Sequence, residues 1–341
     1  MAFAQPGLRV NPPLLHCGPH RFDLTRPLVM GIVNVTPDSF SDGGRFVDAA
    51  RALEHARRMA ADGADLIDIG GESTRPGAAP IALDEELERV IPLAGTLARE
   101  GIAVSVDTRK PEVMRAAIAA GAAMINDVCA LTAEGALEAC AASDVGVCLM
   151  HMRGEPQSMQ QAPLYGDVAI EVRDFLRARA QACIAAGIAP SRIVLDPGFG
   201  FGKTLAHNLA LMRSLPELAA TGYPVMAGLS RKASLGQITG RGVDERLPAS
   251  LAAALAAVAR GAAIVRVHDV RETVDALKVW LAVGQADISN RRPNENTSVR
   301  TACAAGWAKC RSRPSWCSSW AGRRGACSPP TRCTRARVRA C

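Results

Sequence analysis

The stretch AVSVDTRKPEVMRAAIAAGAAMIND, residues 103–127, contains a complete strand–helix–strand pattern. Its first apolar run ends at Asp107, and a second apolar run ends at Asn126 and Asp127. Between the two runs Pro111 stands where the first turn of a helix tolerates proline, and apolar residues follow it at helical spacing. Because neighbouring strands joined through a helix run parallel, this stretch predicts one unit of a parallel sheet.

The same unit repeats along the chain from about residue 28 to residue 283. Stretches rich in Ala, Leu and Arg, with apolar residues at helical spacing, separate eight short apolar runs. The predicted strands are residues 28–33, 65–69, 103–107, 122–127, 145–150, 193–196, 225–229 and 264–267, and helices are predicted over residues 48–61, 84–99, 111–120 and 167–186, among others. Eight units predict a single TIM-type (β/α)8 barrel, although an open doubly wound sheet would fit six of them nearly as well.

Polar residues end almost every predicted strand, and their placement favours the barrel. They are Asn34, Asp68, Asp107, Asn126, Asp127, His151, Asp196, Ser230, Arg266 and His268. In a barrel the carboxyl ends of all strands meet at one mouth, where active sites lie, whereas in an open sheet these residues would be spread along an edge. The sequence therefore predicts one polar site at the mouth of a closed barrel.

The two ends of the chain differ from this pattern. Residues 1–19 form a Pro-rich N-terminal lead, and residues 20–24 are a candidate strand or hairpin piece covering the bottom of the barrel, which is predicted to extend over residues 20–285. Residues 286–341 are rich in Arg, Ser and Cys without core periodicity, which predicts a disordered basic tail. That composition also suits a GC-rich gene read in a shifted frame, a hypothesis that truncation near Gln285 would test.

The charge of the chain is divided unevenly between the predicted barrel and the tail. The whole chain has a net charge of +7, yet residues 286–341 contain 12 Lys and Arg against 2 Asp and Glu, which leaves the rest at −3. A basic tail can attract nucleic acid, but it indicates nothing about the barrel, for which no nucleic-acid partner is predicted. Without a run of 18 apolar residues or a secretory signal, we expect a cytoplasmic protein with no membrane partner.

The first two predicted loops contain candidate ligand-binding groups. The loop NVTPDSFSDGG, residues 34–44, is long enough to be a lid, and Asn34 offers an amide to a hard cation or to phosphate. The loop GGESTRPG, residues 70–77, contains the Thr74 hydroxyl and the anion-binding guanidinium of Arg75. The alternatives are a turn capped by Asn and Ser side chains in the first loop and a solvated surface turn in the second.

The later strand ends predict a site for a flat nitrogen heterocycle with an anionic group. A ring of carboxylates and amides can accept hydrogen bonds from ring N–H and NH₂ groups, and Phe199 and Phe201 in LDPGFGFGK (195–203) would supply flat walls. Loops after the seventh and eighth strands of barrels often bind phosphate, a role that suits Lys232, Arg266 and His268. For any single Asp at a strand end, the alternative is a helix N-cap.

Eight segments, in order over about residues 20–283, together resemble the dihydropteroate synthase family of pterin-binding proteins. They are MGIVNVTPDSFSDGG (30–44), DIGGESTRPGA (68–78), VSVDTRKPEV (104–113), MINDV (124–128), LMHM (149–152), LDPGFGFGKT (195–204), GLSRKASLG (228–236) and RVHDV (266–270). The resemblance implies condensation of (7,8-dihydropterin-6-yl)methyl diphosphate with p-aminobenzoate to 7,8-dihydropteroate and pyrophosphate, in folate biosynthesis. It also implies Mg²⁺, a homodimer, and inhibition by sulfonamides as aminobenzoate mimics.

The resemblance further implies roles for individual residues. Asp107, Lys232, Arg266 and His268 correspond to the catalytic positions. The pterin-binding positions are Thr74, Asp107, Asn126, Asp196 and Lys232. The diphosphate-binding positions are Asn34, Arg75, Arg266 and His268, with Asn34 also reaching the metal. The aminobenzoate side and lid comprise Thr36, Pro37, Asp38, Phe40, Pro76, Phe201 and Ser230. Some members carry Ser near the aminobenzoate carboxylate where this chain has Ala233.

Two other functions are compatible with a pterin-binding barrel. A methyltransferase that passes a methyl group from methyltetrahydrofolate to a corrinoid needs no diphosphate site, so the cluster of Arg75, Arg266 and His268 and the TPDSFSDGG lid disfavour it. A non-catalytic paralogue that keeps the pterin pocket is the second alternative. An assay of diphosphate release separates this paralogue from the enzyme.

Overall fold

The computed structural model describes residues 14–35, 45–73, 77–155, 159 and 163–289. The chain enters through an antiparallel hairpin of β1 (Leu14–Cys17) and β2 (His20–Asp23). Eight parallel strands follow: β3 (Leu28–Asn34), β4 (Leu66–Gly70), β5 (Val104–Asp107), β6 (Met124–Asp127), β7 (Gly146–Met150), β8 (Ile193–Asp196), β9 (Met226–Ala227) and β10 (Ile264–Val267). Each lies within two residues of its predicted bounds. Of the predicted tail, residues 286–341, the part from residue 290 onward lies outside the described residues. So do residues 1–13 of the predicted lead, residues 1–19.

Helices connect the strands on the outside of the sheet. They are α1 (Arg45–Ala61), α2 (Leu83–Arg99), α3 (Pro111–Ala119), α4 (Ala136–Ala141), α5 (Val168–Ala185), α6 (Leu205–Ala219), α7 (Ala233–Thr239), α8 (Leu247–Val258) and α9 (Val270–Ser289). Local sequence explains several of their ends. Pro111 occupies the first turn of α3, and the Asp167 carboxylate caps α5 by accepting from the N–H groups of Ala169 and Ile170.

The strand order shows a nearly closed barrel, which confirms the predicted (β/α)8 architecture. The strands are hydrogen-bonded in the order β8-β7-β6-β5-β4-β3-β10-β9. The two outermost strands approach each other through a parallel bridge between Leu195 and Val225. The short β9, with only two residues, leaves this last seam the weakest part of the sheet.

Side chains alternate between the barrel interior and the helices, and this alternation positions the site. The interior face begins with buried apolar residues at the bottom, including Leu66, Met124, Val194 and Ile264. Two residues further along each of these strands the same face carries a polar residue, namely Asp68, Asn126, Asp196 and Arg266. Because the side-chain period of a strand is two, all four polar groups reach the same end of the barrel.

The hairpin of β1 and β2 covers the amino-terminal end of the barrel, as predicted for residues 20–24. Leu15 and Cys17 are fully buried among the bottom residues of the interior. The N–H of Gly18 donates to the carbonyl of Asp144 just before β7. A Cβ on Gly146 would lie only 2.5 Å from Cys17 Sγ, so the close packing of hairpin and barrel requires glycine there. Among the described residues, no helix has the length and apolar character needed to cross a membrane.

Candidate active site

Six of the residues predicted to form the site line one cleft at the mouth of the barrel. They are Asp107, Asn126, Asp196, Phe201, Lys232 and Arg266. They come from the carboxyl ends of β5, β6, β8 and β10 and from the segments after β8 and β9. The closure of the barrel therefore brings together residues that lie up to 159 positions apart in the chain.

An arginine between two aspartates forms the floor of the cleft. Arg266 Nε donates to Asp68 Oδ2 at 2.6 Å, and its Nη2 donates to Asp107 Oδ2 at 2.9 Å. Burial opposes the charge of Arg266, but the carboxylates of Asp68 and Asp107 outweigh it and raise the pKa of the guanidinium. Arg266 thus keeps its charge in a buried position, with its side chain fixed by two partners.

Asp68 also orients the amide of Asn126. Asn126 Nδ2 donates to Asp68 Oδ2 at 3.2 Å, so the amide oxygen points away from the carboxylate. Asp68 Oδ1, Asn126 Oδ1 and Ser105 Oγ are buried and have no hydrogen-bond partner among the described residues. Unpaired buried acceptors are costly, so this group favours a ligand that brings several N–H donors.

Burial shifts the pKa of the titratable groups in the cleft. Desolvation raises the pKa of Asp107 to about 7, with Arg266 opposing the shift and Asp68 reinforcing it. Burial likewise raises the pKa of Asp196. The pKa of Lys232 falls to about 8, because burial and the charge of Arg266 together exceed the attraction of Asp196. The cleft therefore holds groups that exchange protons close to neutral pH.

Aromatic residues after β8 form one wall of the cleft. The ammonium of Lys232 lies 4.1 Å from the centroid of the Phe201 ring, close enough for a cation–π contact. Phe199 also lines the cleft, although 99% of its surface is buried among the apolar residues between the strands and the helices. Phe201, by contrast, is partly exposed.

The glycine-rich loop after β8 is organised by Lys203. Lys203 Nζ donates to the carbonyls of His151, Gly198 and Phe201 at 2.9 to 3.1 Å, and it is almost fully buried. A Cβ on Gly198, at φ 67°, would lie 2.0 Å from the carbonyl oxygen of His151, so only glycine fits. Lys203 therefore acts as an internal brace that shapes the wall around Phe201.

The segments after β9 and β10 carry two further predicted residues, Ser230 and His268. Ser230 Oγ accepts from the backbone N–H of His268 at 3.2 Å and lies 3.0 Å from its Nδ1. Burial, followed by the charge of Arg266, lowers the pKa of His268 to about 4. A neutral imidazole whose Nδ1 accepts from Ser230 keeps its proton on Nε2, where it can donate to an anion.

Of the other predicted residues, one, Asn34, is described by the structure and seven are not. Asn34 ends β3, and a Cβ added to Gly70 on the neighbouring strand would lie 3.7 Å from its side-chain oxygen. Among the described residues, no cluster of three or more His, Cys, Asp or Glu side chains is placed to hold a metal. Seven predicted residues lie outside the described residues: Thr36, Pro37, Asp38, Phe40, Thr74, Arg75 and Pro76.

The sequence predicts Asp68 as one of the polar strand ends at the mouth but predicts no individual role for it. The structure places it beneath the cleft, in contact with both Arg266 and Asn126. Its position was a usable signal, because Asp68 shares the interior face of β4 with Leu66, as Asn126 shares that of β6 with Met124. The partnership with Arg266 had no signal in the sequence, since 198 positions separate the two residues.

Comparison with known proteins identifies the family. The model of the family described as pterin binding enzyme matches residues 30–268. The dihydropteroate synthase of Neisseria meningitidis serogroup B is 55% identical over 274 residues, which are 78% of this chain and 96% of the relative. A structure of Xanthomonas albilineans dihydropteroate synthase with 4-aminobenzoic acid matches with a TM-score of 0.75 at 55% identity, covering 80% of this chain and 98% of that one.

A further solved structure agrees with this result. Burkholderia cenocepacia dihydropteroate synthase complexed with 7,8-dihydropteroate matches with a TM-score of 0.75 at 53% identity, covering 82% of this chain and 99% of that one. The matches extend over almost the full length of these proteins, and the family model includes every strand end that lines the cleft. The chain therefore belongs to the pterin-binding enzyme family, as one of its dihydropteroate synthases.

Proposed function

We propose that this chain condenses (7,8-dihydropterin-6-yl)methyl diphosphate with p-aminobenzoate to give 7,8-dihydropteroate and pyrophosphate, a step of folate biosynthesis. The observation that carries the proposal is the combination of unpaired buried acceptors, in and beneath one cleft, with fixed cations that line it. Acceptors suit the N–H groups of a pterin, and cations suit the diphosphate attached to it. The solved relatives with 4-aminobenzoic acid and with 7,8-dihydropteroate support this assignment.

The pterin would lie on the floor of the cleft. The free oxygens of Asp68 and Asn126, with the carboxylate of Asp196, would accept from its ring N–H and NH₂ groups. Phe201 and the alkyl chain of Lys232 would cover one face of the ring. Thr74, predicted from the resemblance, would add a hydroxyl to this set.

Departure of the diphosphate would be assisted by three basic side chains. Arg266 and the Nε2–H of His268 would bind the oxygens that gain negative charge, together with Arg75 from the second loop. The C–O bond breaks with its electron pair going to the diphosphate, and the methylene carbon becomes cationic. The Asp107 carboxylate, when ionised, would stabilise this positive charge.

The p-aminobenzoate amine would then form the new C–N bond. Its nitrogen lone pair attacks the cationic methylene carbon, and the proton lost from nitrogen passes to solvent. Phe201, Ser230 and Lys232 would line this side, and the lid with Thr36, Pro37, Asp38 and Phe40, together with Pro76, would close over it. Ala233 at the start of α7 has no hydroxyl that could bind the carboxylate of p-aminobenzoate. Ser230 and Lys232 would be the polar contacts of this carboxylate. Sulfonamides, as aminobenzoate mimics, would compete here.

Magnesium would be held jointly by the chain and the substrate. The amide oxygen of Asn34 is a suitable hard ligand at the strand end, beside Gly70. Mg²⁺ commonly takes its other ligands from water and substrate phosphates, and it would neutralise charge on the leaving diphosphate. The homodimeric state and the cytoplasmic location implied earlier stay predictions.

The decisive experiment measures pyrophosphate release by the purified full chain with Mg²⁺, the pterin diphosphate and p-aminobenzoate. We expect release that depends on p-aminobenzoate and that falls strongly, without being abolished, in an Asp107→Asn variant. The control variant Arg57→Met removes an ion pair with Glu100 on the helical exterior and should keep full activity. Pterin binding without pyrophosphate release would instead support the non-catalytic paralogue.

A further inference from the structure

Two segments that follow neighbouring strands are joined side by side at the barrel mouth. Ser230 and His268 form one pair, described above. One residue further along both segments, Arg231 Nε donates to Asp269 Oδ2 at 3.1 Å, and its Nη2 donates to the other carboxylate oxygen. The Asp269 side chain is 14% exposed and that of Arg231 is 39% exposed, so solvent screens this two-point ion pair mainly from the arginine side.

The backbone at Arg231 adopts a conformation that few non-glycine residues occupy. Its φ is 56°, in the left-handed region, where a Cβ is disfavoured sterically. Three contacts hold the residue in place. Its N–H donates to Ser250 Oγ at 2.9 Å, its carbonyl accepts from Arg246 at 3.1 Å, and its side chain binds Asp269.

The left-handed turn places the two neighbours of Arg231 on the site. Ser230, on one side, contacts His268. Lys232, on the other side, places its ammonium over the Phe201 ring within the cleft. Among the described residues that line the cleft, neither Arg231 nor Asp269 occurs, so any effect of the ion pair passes through these neighbours.

We propose that Asp269 is a positioning residue for the synthase reaction, which holds Lys232 and His268 in their working geometry through its ion pair with Arg231. The proposal rests on the proposed function, because Lys232 and His268 are the groups assigned there to substrate. Asp269 directly follows His268 in the chain, and Arg231 directly precedes Lys232. A single ion pair therefore joins the backbones that carry both side chains.

The charges around His268 provide a readout for this arrangement. Besides burial, the charges of Arg266, Arg231 and Lys232 lower the pKa of the imidazole, and the charge of Asp269 raises it. Removing the Arg231 charge should therefore raise the pKa of His268, and removing the Asp269 charge should lower it. Such opposite shifts would show that the charges of the pair act on His268 directly.

The kinetic test uses Asp269→Asn, Arg231→Met and the double variant. Misplacement of catalytic groups by about 1 Å can cost about 100-fold, so we expect each single variant to lose about 10- to 100-fold in kcat/KM for the pterin diphosphate. The double variant should be no worse than the poorer single variant, because both changes break the same link. Arg241→Met, which breaks an exposed pair with Glu245, serves as the matched control and should retain wild-type kcat/KM.

A second variant separates positioning from stability. Arg231→Gly accepts the left-handed backbone without strain but lacks the guanidinium. We expect its melting temperature to stay near that of the wild type while kcat/KM falls as in Arg231→Met. A folded Arg231→Gly variant with wild-type kcat/KM would overturn the proposal.

An NMR titration of the His268 imidazole distinguishes failure of this inference from failure of the proposed function. Absence of synthase activity in the wild type would defeat the proposed function, and the titration would still report whether Arg231 and Asp269 shift the pKa of His268 in opposite directions. An unchanged pKa of His268 in both single variants would contradict the coupling between the Arg231–Asp269 pair and His268, whether or not the wild type is active.

Discussion

The carboxylate of Asp68 is completely buried beneath the cleft and binds two residues that line it. Its Oδ2 accepts from Arg266 and from Asn126, which fixes a guanidinium and turns an amide oxygen toward the ligand space. Asp68 thus sets the orientation of Arg266 and Asn126, the two residues that line the cleft. At this scale, function depends on which hydrogen bonds the protein has already made before substrate arrives.

The first prediction concerns Asp68→Asn. The substitution keeps the side-chain shape but removes the charge that pairs with Arg266, and hydrogen bonds to charged groups contribute about 1.5 to 3 kcal/mol. We expect the free energy of unfolding to fall by that amount in urea denaturation, and the affinity for a pterin to fall about tenfold in calorimetry. Glu100→Gln, which breaks an exposed pair with Arg57, should cost much less, because solvent screens exposed ion pairs. Equal losses in the two variants would contradict the role of Asp68.

The second prediction concerns the pH dependence of kcat/KM. Burial raises the pKa of Asp107 to about 7 and lowers that of Lys232 to about 8. Because the mechanism uses an ionised Asp107 and a charged Lys232, kcat/KM should rise as pH increases through about 7 and fall above about 8. Asp107→Asn should lose the acid limb of the profile and most of the activity. A flat profile in the wild type would show that neither group titrates in the rate-limiting step.

The shift at Asp107 also has a consequence for stability, with a defined sign. The folded state holds the Asp107 proton more tightly than the unfolded chain, in which the pKa is near its ordinary value of 3.8. The contribution of this group to the free energy of unfolding is therefore fully present at low pH and is lost as pH rises from about 4 to about 7. Asp107→Asn should remove that part of the pH dependence.

At the scale of elements, the loop between β4 and α2 is fixed at both ends by one lysine. Lys110 Nζ donates to Glu72 Oε2 at 2.7 Å, to Glu86 Oε2 at 2.6 Å and to the carbonyl of Ile81 at 2.9 Å. Glu72 in turn accepts from the N–H of Ile81 at 3.3 Å. Lys110 lies just before α3. The residue that begins this helix therefore also holds the two ends of the loop between β4 and α2.

The third prediction is that Lys110→Met destabilises the protein strongly. The change leaves the almost fully buried Glu86 without its cation and leaves Glu72 with Arg109 alone. Breaking a buried pair in this way costs about 3 to 5 kcal/mol. Urea denaturation at neutral pH measures the loss. Lys278→Met, which removes an exposed lysine paired with Asp275 on α9, should change the free energy of unfolding by less than about 1 kcal/mol.

The effect of Lys110→Met should depend on pH in a specific direction. Burial favours protonation of Glu72, yet hydrogen bonds from Lys110 and Ile81 outweigh it and lower its pKa. The stabilisation from this group is present above the ordinary pKa of 4.5 and is lost as pH falls through the lowered value. The difference between the wild type and Lys110→Met should therefore shrink in acid, and a difference that grows there would argue against the ion pair.

For the whole molecule, the described barrel is complete without the basic tail. β10 returns to pair with β3, and the last helix, α9, packs its early turns on the core through Val270 and Leu277 and ends at Ser289. The relatives align over about 80% of this chain and nearly all of their own length. The residues needed for the proposed reaction all precede that helix.

The fourth prediction is that a chain ending at Ser289 keeps its melting temperature and its kcat/KM. Removal of residues 290–341 deletes 12 basic residues and 1 acidic residue, so the net charge changes from +7 to −4. The truncated chain should therefore bind an anion exchanger at neutral pH. Calorimetry and the pyrophosphate assay, applied to both chains, check the prediction. Loss of folding on truncation would show that the tail belongs to the barrel.

The sequence by itself determined the eight strand–helix units and the polar strand ends that line the mouth. These features are local, because hydrophobic periods of two and of about 3.6 residues and helix-capping residues act over a few neighbours. The strict parity that places Asp196 and Arg266 on the interior face is also local, since it follows from counting along one strand.

Only the tertiary structure decided which of those residues bind one another. The pairing of Arg266 with Asp68 joins residues 198 positions apart, and the seam at Leu195 and Val225 joins β8 to the start of β9. The left-handed turn at Arg231 likewise depends on Ser250, Arg246 and Asp269, none of which is its neighbour in the chain. Such contacts depend on how far the barrel closes and on what else is buried beside each charge, and no local pattern contains that information.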